Sequence, residues 1–285
     1  MITPRLIDLK EWNEFGGGAA GSSYNHKSDE TIVLKLYQAR WEERARSEFE
    51  RSQKVFEMGI PCPEPYEYVT DGERFGMIGQ RIKNKKSFFR VLSEQPERVD
   101  EMARRFADAA RLLHRTECDK TVFRPLKERY EIAFSRMDVP EDVRQDLIKL
   151  LHSFPDGTTC LHGDMQGGNI ITDGERDYWI DLGDFGYGSP TIEFSTLWHN
   201  ATNLPDEKIV DMFHIHKDLQ MEFTKLVFQH YYNMDSLSKP EQDEIMLRIR
   251  RSAVVEFARW IYVIPEEKTN ILPMVQEQLE ELRLD

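Results

Sequence analysis

Cysteine is scarce in this chain: Cys62, Cys118 and Cys160 are the only three in 285 residues, far apart and never arranged as C-x-x-C. That pattern excludes a disulfide framework and argues against a zinc site. Cys160, directly before Leu161 and His162, reads as a buried strand residue. Long apolar runs are missing as well. No stretch approaches the ~18 consecutive apolar residues that span a bilayer, and Met1 to Asp8 shows no basic segment leading into an apolar one. Repeats and low-complexity tracts are absent, and a hydrophobic share of 40% with 11% aromatics belongs to a chain that folds. The expectation is a soluble cytoplasmic protein with no membrane partner.

An excess of positive charge is the third absence. The net charge is -13; residues 1–85 hold 13 Lys+Arg against 14 Asp+Glu, and residues 86–285 hold 25 against 37. Such a field repels nucleic acid and anionic membrane, and it attracts a cationic small molecule besides keeping the chain soluble.

What is present concentrates in His162-Gly163-Asp164-Met165-Gln166-Gly167-Gly168-Asn169, with Asp181 closing the apolar stretch Tyr178-Trp179-Ile180 twelve residues later. An Asp five positions before an Asn, then a second Asp at a strand end, is the spacing with which a kinase catalytic loop holds one base and two metal ligands. Near the start, Gly16-Gly17-Gly18-Ala19-Ala20-Gly21 fits G-x-G-x-x-G. A P-loop needs Lys then Ser/Thr where this chain has Ser22-Ser23, and a dinucleotide fold needs a helix where Ser22 to Glu30 is polar and turn-forming. A kinase-type loop closing over a triphosphate remains, with Gly16, Gly18 and Gly21 as its glycines.

The surrounding pattern is α+β. Strands are expected at Thr31 to Tyr37 and Gly76 to Ile82, bracketing a helix from Trp41 to Met58 that ends at Gly59. The helix carries an apolar stripe of Trp41, Ala45, Phe49, Val55 and Phe56, and Glu48 projects from that same side. A carboxylate there needs a partner. Lys35 lies inside an otherwise apolar strand. Beyond Lys85 the period becomes helical: Val99, Met102, Phe106, Ala109, Ala110 and Leu113 keep i, i+3, i+4 spacing. Further helices are expected at Leu126 to Met137, Glu141 to His152, Pro205 to Tyr232, Lys239 to Val263 and Ile271 to Leu284. Short strands at Cys160 to His162, Asn169 to Thr172 and Tyr178 to Asp181 interrupt them, with Asp173-Gly174 turning the last two. Residues 1–82 then form an N-terminal nucleotide-binding lobe, an antiparallel sheet with one helix. Residues 83–285 form a larger, mainly helical catalytic and substrate-binding lobe.

The stretch from His162 to Asn169 resembles the catalytic loop of the aminoglycoside phosphotransferase and choline kinase superfamily, relatives of the protein kinases in which H-G-D stands for H-R-D. The resemblance runs from the glycine loop to about Leu197. It implies a two-lobed protein-kinase-like fold and transfer of the γ-phosphoryl group of ATP or GTP, with Mg²⁺, to a hydroxyl of a small molecule. It further implies Asp164 as catalytic base, Asn169 and Asp181 as metal ligands, Lys35 with Glu48 positioning the phosphates, and backbone groups near Gln80 and Ile82 binding the base. A literal Asp184-Phe185-Gly186 raises the question of register; Asp181, 17 residues after Asp164 and directly ending a strand, takes the metal, and Asp184 stays a second candidate.

Two departures matter. Gly188-Ser189-Pro190 leads to Glu193-Phe194 where the superfamily often has an Asp-Leu pair, and no A-P-E follows, which argues against a protein substrate. The acidic composition points to a cationic amino sugar or amino alcohol as acceptor. The alternative is a nucleotide-binding regulatory protein of the same fold with little turnover. Elsewhere His114 reads as a packed helix residue, His214 and His216 face apart, and Asp243, Glu244 and Glu256 read as a solvated face or as one facing a cationic substrate. Acceptor, nucleotide preference and oligomeric state are open at this level.

Overall fold

The structure is a computed structural model that describes residues 2–18 and 21–282. Its contacts form two compact units, Met1–Ser87 with Asn169–Asp184, and Phe88–Gly168 with Phe185–Asp285. The sequence suggested a contiguous division after residue 82; here the chain returns to the first unit after Gly168, because the strands that follow pair with residues just before the crossing.

In the first unit β1 (Arg5–Leu6), β2 (Trp12–Gly18), β3 (Gly21–His26), β4 (Ile32–Tyr37), α1 (Glu42–Glu57), β5 (Pro65–Thr70) and β6 (Phe75–Gln80) build a sheet of order β1-β5-β6-β4-β3-β2. The sheet is mixed rather than wholly antiparallel, since β1 runs parallel to β5. Where the sequence suggested turns from Ser22 onward, β3 is a strand. It lies between β2 and β4, so ladder bonds on both sides outweigh the low strand preference of its polar residues. Tyr24 is its buried member.

Period two explains the placement of Lys35. Leu34 and Leu36 point to a core with Ile7, Trp12, Tyr24, Val69 and Ile78, whereas Tyr37 packs on the other face with Ala45 and Phe49 of α1 and Tyr68. Lys35, between the two leucines, therefore shares the α1 face. In α1, Ala45, Phe49 and Val55 are buried as expected, but Trp41 and Phe56 are 36% and 40% exposed. Trp41 precedes the helix, and its ring is instead covered by the guanidinium groups of Arg40 and Arg44 at 5.3 and 5.8 Å. Gly59, at φ 77°, supplies the left-handed residue that stops the helix.

After β7 (Lys86–Ser87) the second unit begins with α2 (Phe88–Glu94), α3 (Val99–Arg115), α4 (Leu126–Arg136), α5 (Glu141–Ser153) and β8 (Thr159–Leu161). The hairpin β9 (Ile170–Thr172) and β10 (Asp177–Trp179) then pairs with β7 in the first unit, in the order β10-β9-β7. The remainder is β11 (Gly186–Gly188), paired antiparallel with β8, then α6 (Pro190–Asn203), α7 (Asp206–Phe213), α8 (Lys217–Tyr232), α9 (Lys239–Val263) and α10 (Lys268–Glu281). The single helix expected from Pro205 to Tyr232 is two, broken where His214 turns left-handed at φ 60°. The short α2, a run of Phe88, Phe89, Val91 and Leu92, shows too little period to be read as a helix. The expected end of the last helix, Leu284, lies outside the described residues.

Side chains of α4, α5, α6, α9 and α10, among them Tyr130, Phe134, Leu147, Ile192, Phe257 and Val275, form the core of this unit. A capping box at Ser238 and Glu241 starts the long α9, and its later half is buried from Ser252 to Ala258. Among the described residues no helix is long and apolar enough to cross a membrane. The β4–β6 ladder brings Lys35 and Gly76 so close that a Cβ on Gly76 would overlap the Lys35 carbonyl. Gly76→Ala is expected to lower the unfolding free energy by about 3 kcal/mol, and urea denaturation that finds an unchanged midpoint would show that the ladder relaxes without cost.

Candidate active site

The residues picked out in the sequence fall in both units. In the first, the Lys35 ammonium donates to Glu48 Oε1 at 2.7 Å and lies 3.5 Å from Asp181 Oδ1. The Tyr37 hydroxyl donates to the other Glu48 oxygen, so a carboxylate only 2% exposed has both oxygens engaged. Burial alone would lower the pKa of Lys35, but Glu48, Tyr37 and Asp181 together raise it above the ordinary lysine range. Lys35 therefore stays charged. Burial, and then the Glu48 charge, push the Tyr37 phenol up as well.

Asp181 follows β10 in the left-handed conformation, φ 61°, uncommon for a residue other than glycine. Ile180 N donates to Asn169 O at 2.9 Å, which ties the segment carrying Asp181 to the one carrying Asn169. Asp184 ends the 3-10 turn Leu182–Asp184, where its side chain is exposed. The turn is clamped from α1, Arg51 donating to the Gly183 carbonyl.

A cavity of about 460 Å³ opens beside this cluster, with Lys35 and Asp181 in its wall together with Val33, Met77, Ile82 and Trp179. Gln80 lines it too, but its N–H donates to Glu64 O at 2.8 Å and its side-chain Oε1 accepts from Glu64 N at 3.3 Å. Ile82 lines it as well, and a hydrogen-bonded turn at Lys83 and Asn84 follows it. Gly16, Gly17 and Gly18 lie in β2, opposite Ser23, Ser22 and Gly21 of β3; Ala19 and Ala20, within the expected loop, lie outside the described residues.

The second unit carries Asp164 on the loop after β8. Gly163 takes φ 85°, and a Cβ on Gly167 would enter the ring of Phe89, whose N donates to Gly167 O at 3.2 Å. Two buried carboxylates hold this loop. Glu193 of α6 accepts from the amides of both His162 and Gly163, the latter at 2.8 Å. Arg129 of α4 donates to the Gly163 carbonyl and to Glu256 Oε2, the second bond at 3.2 Å. Glu256, 1% exposed, also accepts from Tyr130 at 2.9 Å and Arg259 at 2.6 Å. It is neither a solvated residue nor one turned to a substrate. Asp243 and Glu244 do lie on the exposed face, paired with Lys239 and Arg248. His114 is buried, its Nδ1 2.8 Å from the Tyr231 hydroxyl.

Sequence reasoning overlooked Tyr37, Arg129 and the anchoring role of Glu193. The signal for Glu193 was visible, since it occupies the one place where the pattern departed from the superfamily pair. No local signal marks Arg129 as an anchor of the loop, since the two partners that matter for it lie 34 and 127 residues away.

The chain belongs to the phosphotransferase enzyme family, whose model matches residues 11–222. Among solved structures it is similar to the ADP-bound aminoglycoside phosphotransferase APH(2'')-Ib, with 17% identity and a TM-score of 0.61 over 95% of this chain and 91% of that one. It is also similar to the choline kinase LicA from Streptococcus pneumoniae, with 12% identity and a TM-score of 0.58 over 98% and 94%. Aminoglycoside phosphotransferase APH(4)-Ia gives 10% identity and a TM-score of 0.64 over 95% and 92%. The fold is therefore the protein-kinase-like one that these enzymes share. No curated protein sequence matches the chain.

Burial alone would raise Glu256, but Arg259 and Arg129 bring it down from 4.5 to about 2. A carboxylate depressed in the folded state adds stability that is complete above its unfolded pKa and is lost as pH falls through the folded one. By that linkage about 3 kcal/mol should disappear between pH 4.5 and 2. Urea unfolding measured across that range is expected to show the loss in the native chain and a flatter profile in Glu256→Gln; parallel profiles would refute the assignment.

Proposed function

We propose that the protein transfers the γ-phosphoryl group of ATP or GTP to a hydroxyl of a small molecule. The observation that carries the reading is one cavity wall that holds a charged Lys35, fixed by a buried Glu48, next to the Asp181 carboxylate and with Ile82 in the same lining. The Ile82 N–H and C=O suit the paired acceptor and donor edge of a purine. Lys35 suits the α- and β-phosphates.

The residues present fit Mg²⁺. Asp181 offers a half-exposed carboxylate and Asn169 an amide oxygen, and among the described residues no group of three or more His, Cys, Asp and Glu could hold a metal alone. That is the habit of a hard ion that takes one or two protein oxygens and completes its shell with phosphate and water. When bound there, Mg²⁺ would neutralise charge on the phosphate oxygens.

Asp164 would orient the acceptor hydroxyl and take its proton as the acceptor oxygen bonds to the γ-phosphorus and the bond to the β-phosphate oxygen breaks, releasing the nucleoside diphosphate. Little covalent work is asked of the protein, so the fixed backbone around Asp164 and the fixed ammonium of Lys35 are the main contributions. For the acceptor, an acidic chain of net charge -13 favours cationic amino sugars and amino alcohols over anionic molecules.

The test is phosphate transfer from ATP and from GTP, with Mg²⁺, to a panel of aminoglycosides, amino alcohols, neutral sugars and homoserine. A product is expected whose rate falls about 10²- to 10⁴-fold in Asp164→Ala. Nucleotide binding with no product from any acceptor would favour the regulatory alternative instead.

A further inference from the structure

Lys35 is not the only cation at the cavity. Arg81 and Lys85 line it too, brought to the same wall because the chain turns between them at Asn84, which adopts the left-handed conformation at φ 55°. Neither side chain has a hydrogen bond or an ion pair among the described residues. Their neighbours differ: Lys83 pairs with Glu30 at 3.3 Å and Lys35 with Glu48 at 2.7 Å. In a chain with 51 acidic residues against 38 basic ones, two cations left without a partner on one cavity wall need a reason.

We propose that Lys85, seconded by Arg81, is a second phosphate-binding cation of the donor cavity, so that the site grips its nucleotide at two positive centres and selects donors by the length of the phosphate chain. The inference rests on the reading of the cavity as a nucleotide site and adds a residue to it. Burial, and then the charges of Arg81 and Lys35, hold Lys85 below the ordinary lysine range. Both acting charges are positive, so a polyanion between Lys35 and Lys85 relieves a repulsion that the empty cavity carries. The Asp181 carboxylate lies 3.5 Å from Lys35, and no ion pair brings it to Lys85. Lys85 lines the cavity and is not among the core residues, so its replacement removes a charge without opening the core.

Calorimetric titration of the full chain with ATP, ADP and AMP, in the absence of acceptor, tests this directly. Lys85→Gln is expected to weaken ATP about ten-fold, ADP by less and AMP not at all, with Lys85→Arg close to the native chain. A uniform loss across the three nucleotides would overturn the proposal, since Lys85 would then be acting on the base, the ribose or the wall itself. Native-like ATP affinity in Lys85→Gln would overturn it too. A native chain that binds none of the three would remove the nucleotide reading and this inference with it, an outcome distinct from a native chain that binds ATP regardless of residue 85.

Discussion

A carboxylate as deep as Glu48, 2% exposed, is tolerable only while donors occupy it, and Lys35 and Tyr37 supply them. Everything else in the first unit is arranged around that requirement. The strand period places Lys35 and Tyr37 on one face, two residues apart, and the helix period brings Glu48 to the face of α1 that packs there. Removing one partner would leave a buried charge alone, so the pair fixes the phase of the helix against the strand as well as the position of an ammonium. A lysine fixed in this way keeps its charge and its direction, as the proposed phosphate contact would require.

The second unit solves a different problem with the same means. The loop carrying Asp164 must hold backbone in unusual conformations, including Gly163 at φ 85°, without the ladder bonds of a strand. Glu193 satisfies its amides, Arg129 its carbonyl, and Glu256 holds Arg129. These are charged groups bonding to peptide groups in a dry interior, where such bonds are strong and their loss is expensive. The extra methylene of glutamate at position 193, relative to the aspartate common in the superfamily, still reaches both amides.

Much of this was legible in the sequence because the key signals are local. Glu48 on an apolar stripe, Lys35 in an apolar strand and Asp181 at a strand end each violate a pattern within a few residues, and the violation is the signal. Features that depend on distant partners were not legible. Glu256 sits in α9 between Val255 and Phe257, and only the distant Arg129, with Arg259, makes a carboxylate tolerable in that core position. β3 is polar enough to read as turn, and only its two flanking strands make it sheet. The break at His214 has no proline or glycine to announce it. Lys85 stands where the strand pattern gives way to the helical one and carries no signal of its own; a turn at Asn84 brings it to a cavity.

Charge is distributed unevenly, in a way that bears on the two proposed ligands of opposite sign. Even if every Lys and Arg in residues 86–285 found an acidic partner, 37 acids against 25 bases leave a negative surplus. Helix pairs such as Arg98 with Glu101 and Lys239 with Asp243 tidy the surface locally without removing it. A surplus of this kind acts at range, speeding the approach of cations and slowing that of anions, and salt limits its reach to about 8 Å under physiological conditions. On the proposed function, a nucleoside triphosphate would bind to a protein whose overall field opposes it. Short-range charge has to overcome that field, and the first 85 residues, with 13 bases against 14 acids, are the nearly neutral part of the chain where it can. One lysine held by Glu48 and Asp181 is largely neutralised by its own partners. Cations without partners among the described residues, as Arg81 and Lys85 are, would supply the attraction that the paired lysine cannot.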